Sequence, residues 1–350
     1  MRGLERPSPE RDRYQQREGP PGIELYRTRS SPKEPALPVA VVAIGGNSLV
    51  RDDAHPGVAG EIAALQETSA HIAGMLASGW EVVLTHGNGP QVGYNLLRSE
   101  LAAPAAPPLP LDVLGAQTQG SIGYLFQQVL GNELRRRSIR KRVVTVVTQT
   151  VVDAHDPAFQ RPTKPIGRFY QKDEAVRLQA ERGWQMVEDA GRGWRRVVPS
   201  PLPAEIVERL VVKGLVHQAI VVIACGGGGI PVVRGPAGDL TGVEAVIDKD
   251  LASALLAQSI GADLLLISTA VERVALHYGK PHQKDLDVMT VDDAKRYLSE
   301  GHFAPGSMGP KIRAALQFVE AGGHEALITS PERIERALAG ETGTRITAGR

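Results

Sequence analysis

Apolar residues along the chain fall into short continuous runs separated by stretches of helical spacing. Runs at 40–44, 81–85, 143–148, 220–225, 263–268 and 325–329 are rich in Val, Ile and Leu and predict buried strands. Between them, Glu61 to Ser78, Ser121 to Arg137, Lys249 to Ile260 and Lys311 to Ala321 carry apolar residues on one helical face. This alternation predicts an α/β fold, a mainly parallel sheet with helices on both faces and ligands at the carboxyl ends of the strands.

Two segments break the rhythm. Residues 1 to about 37 are rich in Pro, Arg, Glu and Ser and offer little to bury, so a disordered N-terminal extension is expected ahead of a domain over 38–350. From Thr150 to Pro199 the chain carries two Trp in Gly-flanked turns and several Pro and Gly. That pattern predicts an excursion with a hairpin between Gln185 and Val197, forming a small lid inserted at 150–199. A plain surface insertion is the alternative.

With 350 residues and 42% hydrophobic composition the chain can bury a full core. Forty Lys and Arg stand against 39 Asp and Glu, which gives no overall charge for nucleic acid or a membrane surface. The basic run Arg135 to Arg142 falls between a helical pattern and a strand and reads as a solvated helix end. The single cysteine, Cys225, lies in an apolar strand and reads as core filling. No stretch has the length of a membrane-crossing helix and no apolar leader precedes the domain, so a cytoplasmic protein is expected.

The candidate chemistry lies where strands give way to glycines. "VVAIGGNSLV", residues 41–50, ends its apolar run at Gly45 and Gly46, where a ligand can approach the backbone. In "HGNGPQVG", 86–93, Gly87 and Gly89 make a tight turn and Pro90 suits the first helical position, exposing free amides at a helix start. Two such loops side by side would hold a small anion. "CGGGGIP" at 225–231 and "GSMGPK" at 306–311 repeat the theme, and none of the four fits GxGxxG or GxxxxGK[ST].

Three lysines stand out. Lys249 lies between Asp248 and Asp250 just before a helix, where the carboxylates either cap the helix or hold the ammonium toward a phosphate. Lys311 lies in the first turn of a helix, against the dipole, and Lys164 is fixed between two prolines in "RPTKPIG". With no paired Ser/His or Cys/His and no metal-binding spacing, this set suits phosphoryl transfer, which needs alignment and positive charge rather than covalent help. Mg²⁺ would ride on the nucleotide with few protein ligands. His86 reads as a packing residue.

At these residues the chain resembles a known family. "VVAIGGNSL", "THGNGPQVG", "LDVLGAQTQGSIGY", "VVTQTVVDAHDPAFQRPTKPIG", "ACGGGGIPV", "EAVIDKDLAS" and "HFAPGSMGPK" closely resemble the carbamate kinases of the amino-acid kinase superfamily, in order from about Val39 to the C-terminus. The resemblance implies a three-layer αβα sandwich around an open, mainly parallel sheet of about eight strands, with a small protruding lid subdomain, and a homodimer. It implies reversible transfer between ATP and carbamate, giving ADP and carbamoyl phosphate, run toward ATP in arginine or purine-derivative breakdown.

By the same resemblance, Gly45, Gly46, Asn47, Gly87, Asn88, Gly89 and Pro90 would hold the carbamate and the transferred phosphoryl group. Lys249 and Lys311 would stabilise the transition state, with Asp250 orienting them. Lys164 would reach in from the lid, in place of the lysine that many relatives carry on the first strand, where this chain has Ala43. The nucleotide would lie near Gly226, Gly227 and Gly228, near Ser268, Thr269, Ala270 and Val271, and near Met308, Gly309 and Lys311. Departures from the family pattern are the first 37 residues, Ser48, and Ala270 and Ala275 on the nucleotide side. Other kinases of the superfamily lack the lid with "RPTKPIG". An idle regulatory relative would have lost Lys249, Asp250 or Lys311, and a dinucleotide oxidoreductase would need GxGxxG.

Overall fold

The computed structural model describes residues 37–46, 57–188 and 193–349. The expectations for the N-terminal extension, Leu37 aside, and for Asn47 and Ser48 lie outside the described residues.

The first half runs β1 (Val39–Ile44), α1 (Val58–Ala77), β2 (Glu81–His86), α2 (Gln91–Ala102), α3 (Leu111–Arg136), β3 (Val143–Thr145) and β4 (Gln149–Val152). The excursion gives β5 (Lys164–Tyr170), α4 (Lys172–Arg182), β6 (Gln185–Glu188), β7 (Trp194–Val198) and β8 (Pro203–Ile206). The chain returns through α5 (Arg209–His217), β9 (Val221–Ile223), β10 (Ile230–Arg234), β11 (Leu240–Gly242), α6 (Lys249–Ile260), β12 (Leu264–Ser268), β13 (Val274–Leu276) and β14 (Lys284–Leu286). It ends with β15 (Val288–Thr290), α7 (Val291–Ser299), α8 (Met308–Glu320), β16 (Glu325–Thr329), α9 (Ile334–Leu338) and β17 (Thr344–Thr347).

Among the described residues the main sheet has eight strands in the order β15-β17-β16-β12-β1-β2-β9-β3. Every neighbouring pair is parallel except β16 with β17. Because side chains alternate along a strand, β1 feeds two cores. Val41 and Ala43 pack with residues of α5, α6 and α8, while Ala40, Val42 and Ile44 pack with residues of α1, α3 and α9. The result is the three-layer αβα arrangement the pattern predicted. No helix among the described residues is long and apolar enough to cross a membrane.

Two expected strands are shorter than their apolar runs. The chain leaves the sheet after Thr145, and Cys225 turns it with a positive φ of 49°. Helix α3 starts at Leu111 rather than Ser121, because Gly115 and Gly120 are tolerated inside it. Gly123 of the same helix lets Thr145 pack against its backbone, where a Cβ would stand 2.4 Å from the Thr145 methyl. The basic run ends α3 as expected, and Arg137 pairs with Glu133 at 2.6 Å while Lys141 reaches Glu81 at 2.6 Å.

Residues 150–199 divide between two sheets. β4 pairs with β10 and β8 in a four-stranded sheet completed by β11. β5, β7 and β6 form a separate antiparallel sheet, in which Gln185 lies opposite Val197 as the hairpin expectation required. This three-stranded unit meets the rest of the chain at α2, where a Cβ on Gly93 would lie only 2.8 Å from the Cα of Gly167.

Phe126 is fully buried on α3 in the core that holds Ile44 and Leu84. Phe126→Ala is expected to lower unfolding free energy by about 3–5 kcal/mol in a urea titration, through lost apolar contact and the cavity left behind.

Candidate functional site

The site starts from the register of β1 and β2. Ile44 lies opposite His86 in parallel pairing, so the two glycine loops leave the sheet side by side. A Cβ on Gly46 would stand 3.1 Å from the Gly89 carbonyl oxygen, and one on Gly87 would stand 3.6 Å from the Gly46 nitrogen. On the other side of β1, a Cβ on Gly45 would stand 3.1 Å from the Ser268 carbonyl oxygen at the end of β12. At Gly45 and Gly46 a side chain would crowd those carbonyls, so glycine suits the close approach of the strand ends.

Past the turn, Asn88 is buried, donates to Thr118 Oγ1 at 3.4 Å and accepts at its backbone carbonyl from Val92 N at 2.8 Å. Pro90 takes the N-cap of α2, one residue earlier than expected, and Gln91 opens the helix. His86 is fully buried and donates from Nδ1 to the Gly87 carbonyl at 2.7 Å. Burial pushes its pKa down to about 4, opposed by that hydrogen bond and assisted by the charge of Lys249, so the ring is neutral and held in place.

Helix α6 presents the charged groups. Asp248 caps it, its Oδ1 accepting from Asp250 N at 3.0 Å and from Leu251 N at 3.4 Å, so the capping expectation holds. Its other oxygen, Oδ2, accepts from Lys164 Nζ at 2.9 Å, so one carboxylate both starts the helix and holds the lysine of β5. Asp250, in the first turn, bridges Lys249 Nζ at 2.5 Å and Lys311 Nζ at 3.0 Å. Its side chain is 4% exposed. Burial would raise its pKa, but the two ammonium groups hold it at about 2. Burial, together with the charge of Lys311, lowers the pKa of Lys249 against the pull of Asp250.

These groups line one cavity of about 730 Å³. Gly45, Gly46, Lys164, Lys249, Asp250 and Lys311 form one end, and Thr269, Ala270, Val271 and Met308 continue the wall. Ser268 and Gly309 lie behind that wall, Ser268 fully buried and Gly309 donating to the Ala304 carbonyl at 2.9 Å. Gly87, Asn88, Gly89 and Pro90 back the Gly46 side without facing the cavity.

Gly226, Gly227 and Gly228 are not brought to the cavity. A Cβ on Gly226 would stand 2.6 Å from His86, one on Gly227 2.3 Å from Asn88 Nδ2, and one on Gly228 2.5 Å from the Ile247 carbonyl oxygen. Their close approach is to other parts of the chain, and none of the three lines this cavity. Arg273, His277, Tyr278, Lys280 and His302, which no sequence motif singles out, complete the cavity from the β13–β14 hairpin and the approach to α8. The turn residues of "HYGKP" were the available signal. Among the described residues no cluster of three His, Cys, Asp or Glu could hold a metal ion.

Residues 38–330 match the amino acid kinase family. The chain is 53% identical over 311 residues to the carbamate kinase-like protein YahI of Escherichia coli (strain K12), covering 88% of this chain and 98% of the relative. It is 50% identical over 309 residues to the carbamate kinase of Thermococcus kodakarensis, covering 87% and 98%. The solved structure of carbamate kinase from Giardia lamblia bound to AMP-PNP matches with a TM-score of 0.84 and 43% identity, over 89% of this chain and 99% of that one.

The buried imidazole gives the fold a pH dependence of known sign. Below its ordinary value of 6.5 the unfolded chain takes up a proton on His86 that the folded chain refuses until about pH 4. Folding therefore weakens as pH falls through that window, by up to about 1.4 kcal/mol per pH unit. Urea titrations at several pH values are expected to show this slope, and His86→Gln to flatten it.

Proposed function

Since the chain belongs to the amino acid kinase family and, within it, to the carbamate kinases, we propose that this phosphotransferase moves a phosphoryl group reversibly between ATP and carbamate, giving ADP and carbamoyl phosphate. The observation that supports this most is the convergence of Lys164, Lys249 and Lys311, from three separate elements, on one cavity beside the glycine seam. Phosphoryl transfer spreads negative charge over the moving group's oxygens, and preset positive charge there costs no reorganisation at the moment of reaction.

In this reading Gly45 and Gly46, backed by Gly87 to Pro90, hold the carbamate and the moving phosphoryl group by their backbone. Lys249 and Lys311 neutralise the developing charge and Asp250 keeps both aimed. Lys164 closes the site from the three-stranded unit, which acts as its lid and excludes water that would hydrolyse carbamoyl phosphate. The nucleotide occupies the C-terminal end of the cavity, along Thr269 to Val271 and Met308. Carbamate is already an oxyanion, so the neutral, pinned His86 is not needed as a base.

Asp248 and Asp250 are both committed to lysines, so the donors present do not make a magnesium cage. Mg²⁺ entering with the nucleotide would rest on phosphate oxygens and water. A cytoplasmic homodimer working toward ATP, in arginine or purine-derivative breakdown, completes the proposal on the strength of the sequence resemblance.

The test is a coupled assay for ATP formed from ADP, Mg²⁺ and carbamoyl phosphate. Lys249→Ala is expected to lower kcat by about 10²–10³, the cost of removing one preset charge donor. Lys164→Ala is expected to lose activity as well while its melting temperature stays near that of the parent. A folded, nucleotide-binding parent chain that forms no ATP would overturn the assignment.

A further inference from the structure

A second cavity, of about 480 Å³, shares no lining residue with the lysine cavity. Its walls belong to different parts of the fold. Helix α2 and the connection to α3 form one side, and the end of α4 with strands β6 and β7 forms the other. It is therefore a seam between the three-stranded unit and the body, with the volume of a small-molecule site.

Its charges come in both signs and are only loosely paired. Arg182 stands 3.4 Å from Glu100 and Arg196 stands 3.5 Å from Glu244. Elsewhere in the chain comparable pairs close fully, with Arg209 at 2.5 Å and Arg234 at 2.9 Å from Glu205. Both guanidinium groups also lie over the Trp184 ring, at 5.1 Å and 4.7 Å from its centroid. Burial raises the pKa of Glu100 against the pull of Arg182, Arg196 and Arg168. Leu96, Leu109 and Val198 add apolar wall.

We propose that this cavity is a second ligand site and that it takes a free α-amino acid with an apolar side chain. The ligand carboxylate fits between Arg182 and Arg196, its ammonium group meets Glu100, and its side chain lies against Leu96, Leu109 and Val198. A plain anion would face Glu100 and Glu244 and a plain cation two guanidinium groups, so a zwitterion matches this wall of two carboxylates and two guanidinium groups best. Val198 lies opposite Lys164 in the β5–β7 register, and Val197 lies opposite Pro165. On the reading of Lys164 as a lid lysine, an occupied cavity fixes the strand pair that carries it.

Calorimetric titration of the full chain with L-leucine, isoamylamine and isocaproate tests the site without using the phosphoryl-transfer reaction. Saturable binding of L-leucine is expected, with each singly charged analogue at least about tenfold weaker, the loss expected for one charge-assisted hydrogen bond. Glu100→Gln is expected to weaken leucine binding, and Leu109→Trp, at a 40% exposed loop position, to abolish it by filling the cavity with the melting temperature kept. No saturable binding of leucine, equal binding of the analogues, or unchanged binding in Leu109→Trp would each overturn the proposal. If Glu100→Gln fails to fold, Leu109→Trp decides alone. An absence of carbamate kinase activity would leave the binding result intact.

Discussion

One buried carboxylate makes the rest of the site possible. Lys249 and Lys311 bring two ammonium groups out of bulk water into the same cavity, where their repulsion is poorly screened. Asp250 bridges both, and its carboxylate opposes the repulsion between them. Removing one member of such a set costs about 3–5 kcal/mol, because the remaining charges are left buried without compensation. Its place in the first turn of α6 adds the favourable end of the helix dipole. The lysines are thus ordered before any ligand arrives.

The sheet supplies the other half of the arrangement. β1 is flanked by β2 and β12 in parallel register, so all three release their chains at the same edge. At the β1 exit Gly45 and Gly46 line the cavity with backbone alone and lie close to the Ser268 and Gly89 carbonyls. Ala43, fully buried between Thr85 and Ile267 in the pairing, brings no charge to that edge. The third ammonium group comes from outside the main sheet, on β5, and Asp248 receives it with the oxygen its capping role leaves free.

Much of this was legible in the chain. The strand runs emerged because a sheet buried on both faces demands continuous Val, Ile and Leu. Helix α6 was found at its true ends, since Asp248 caps it and Gly261 stops it at a φ of 73°. The four-stranded sheet was not found, because its strands are short and Gln149 meets Ile230 only after the intervening chain has folded. Lys164, Lys249 and Lys311 were singled out by their neighbours, and the structure gathers them. Gly226 to Gly228 lie outside the cavity lining for a physical reason: a glycine run signals close approach without saying what approaches, and here His86, Asn88 and Ile247 do. The hairpin wall of the cavity was hidden because His277 and Tyr278 acquire their position only from the pairing of β13 with β14.

The contact between Gly93 and Gly167 joins the three-stranded unit to α2 through bare backbone. Interlocked side chains resist shear because each knob must climb out of its hole, whereas two smooth ribbons offer little such resistance. Beside that contact Ile166 and Val198 of the unit interlock with Val92 and Leu96 of α2, so the bare-backbone approach lets the two surfaces come close while the neighbouring side chains fix the angle at which they meet.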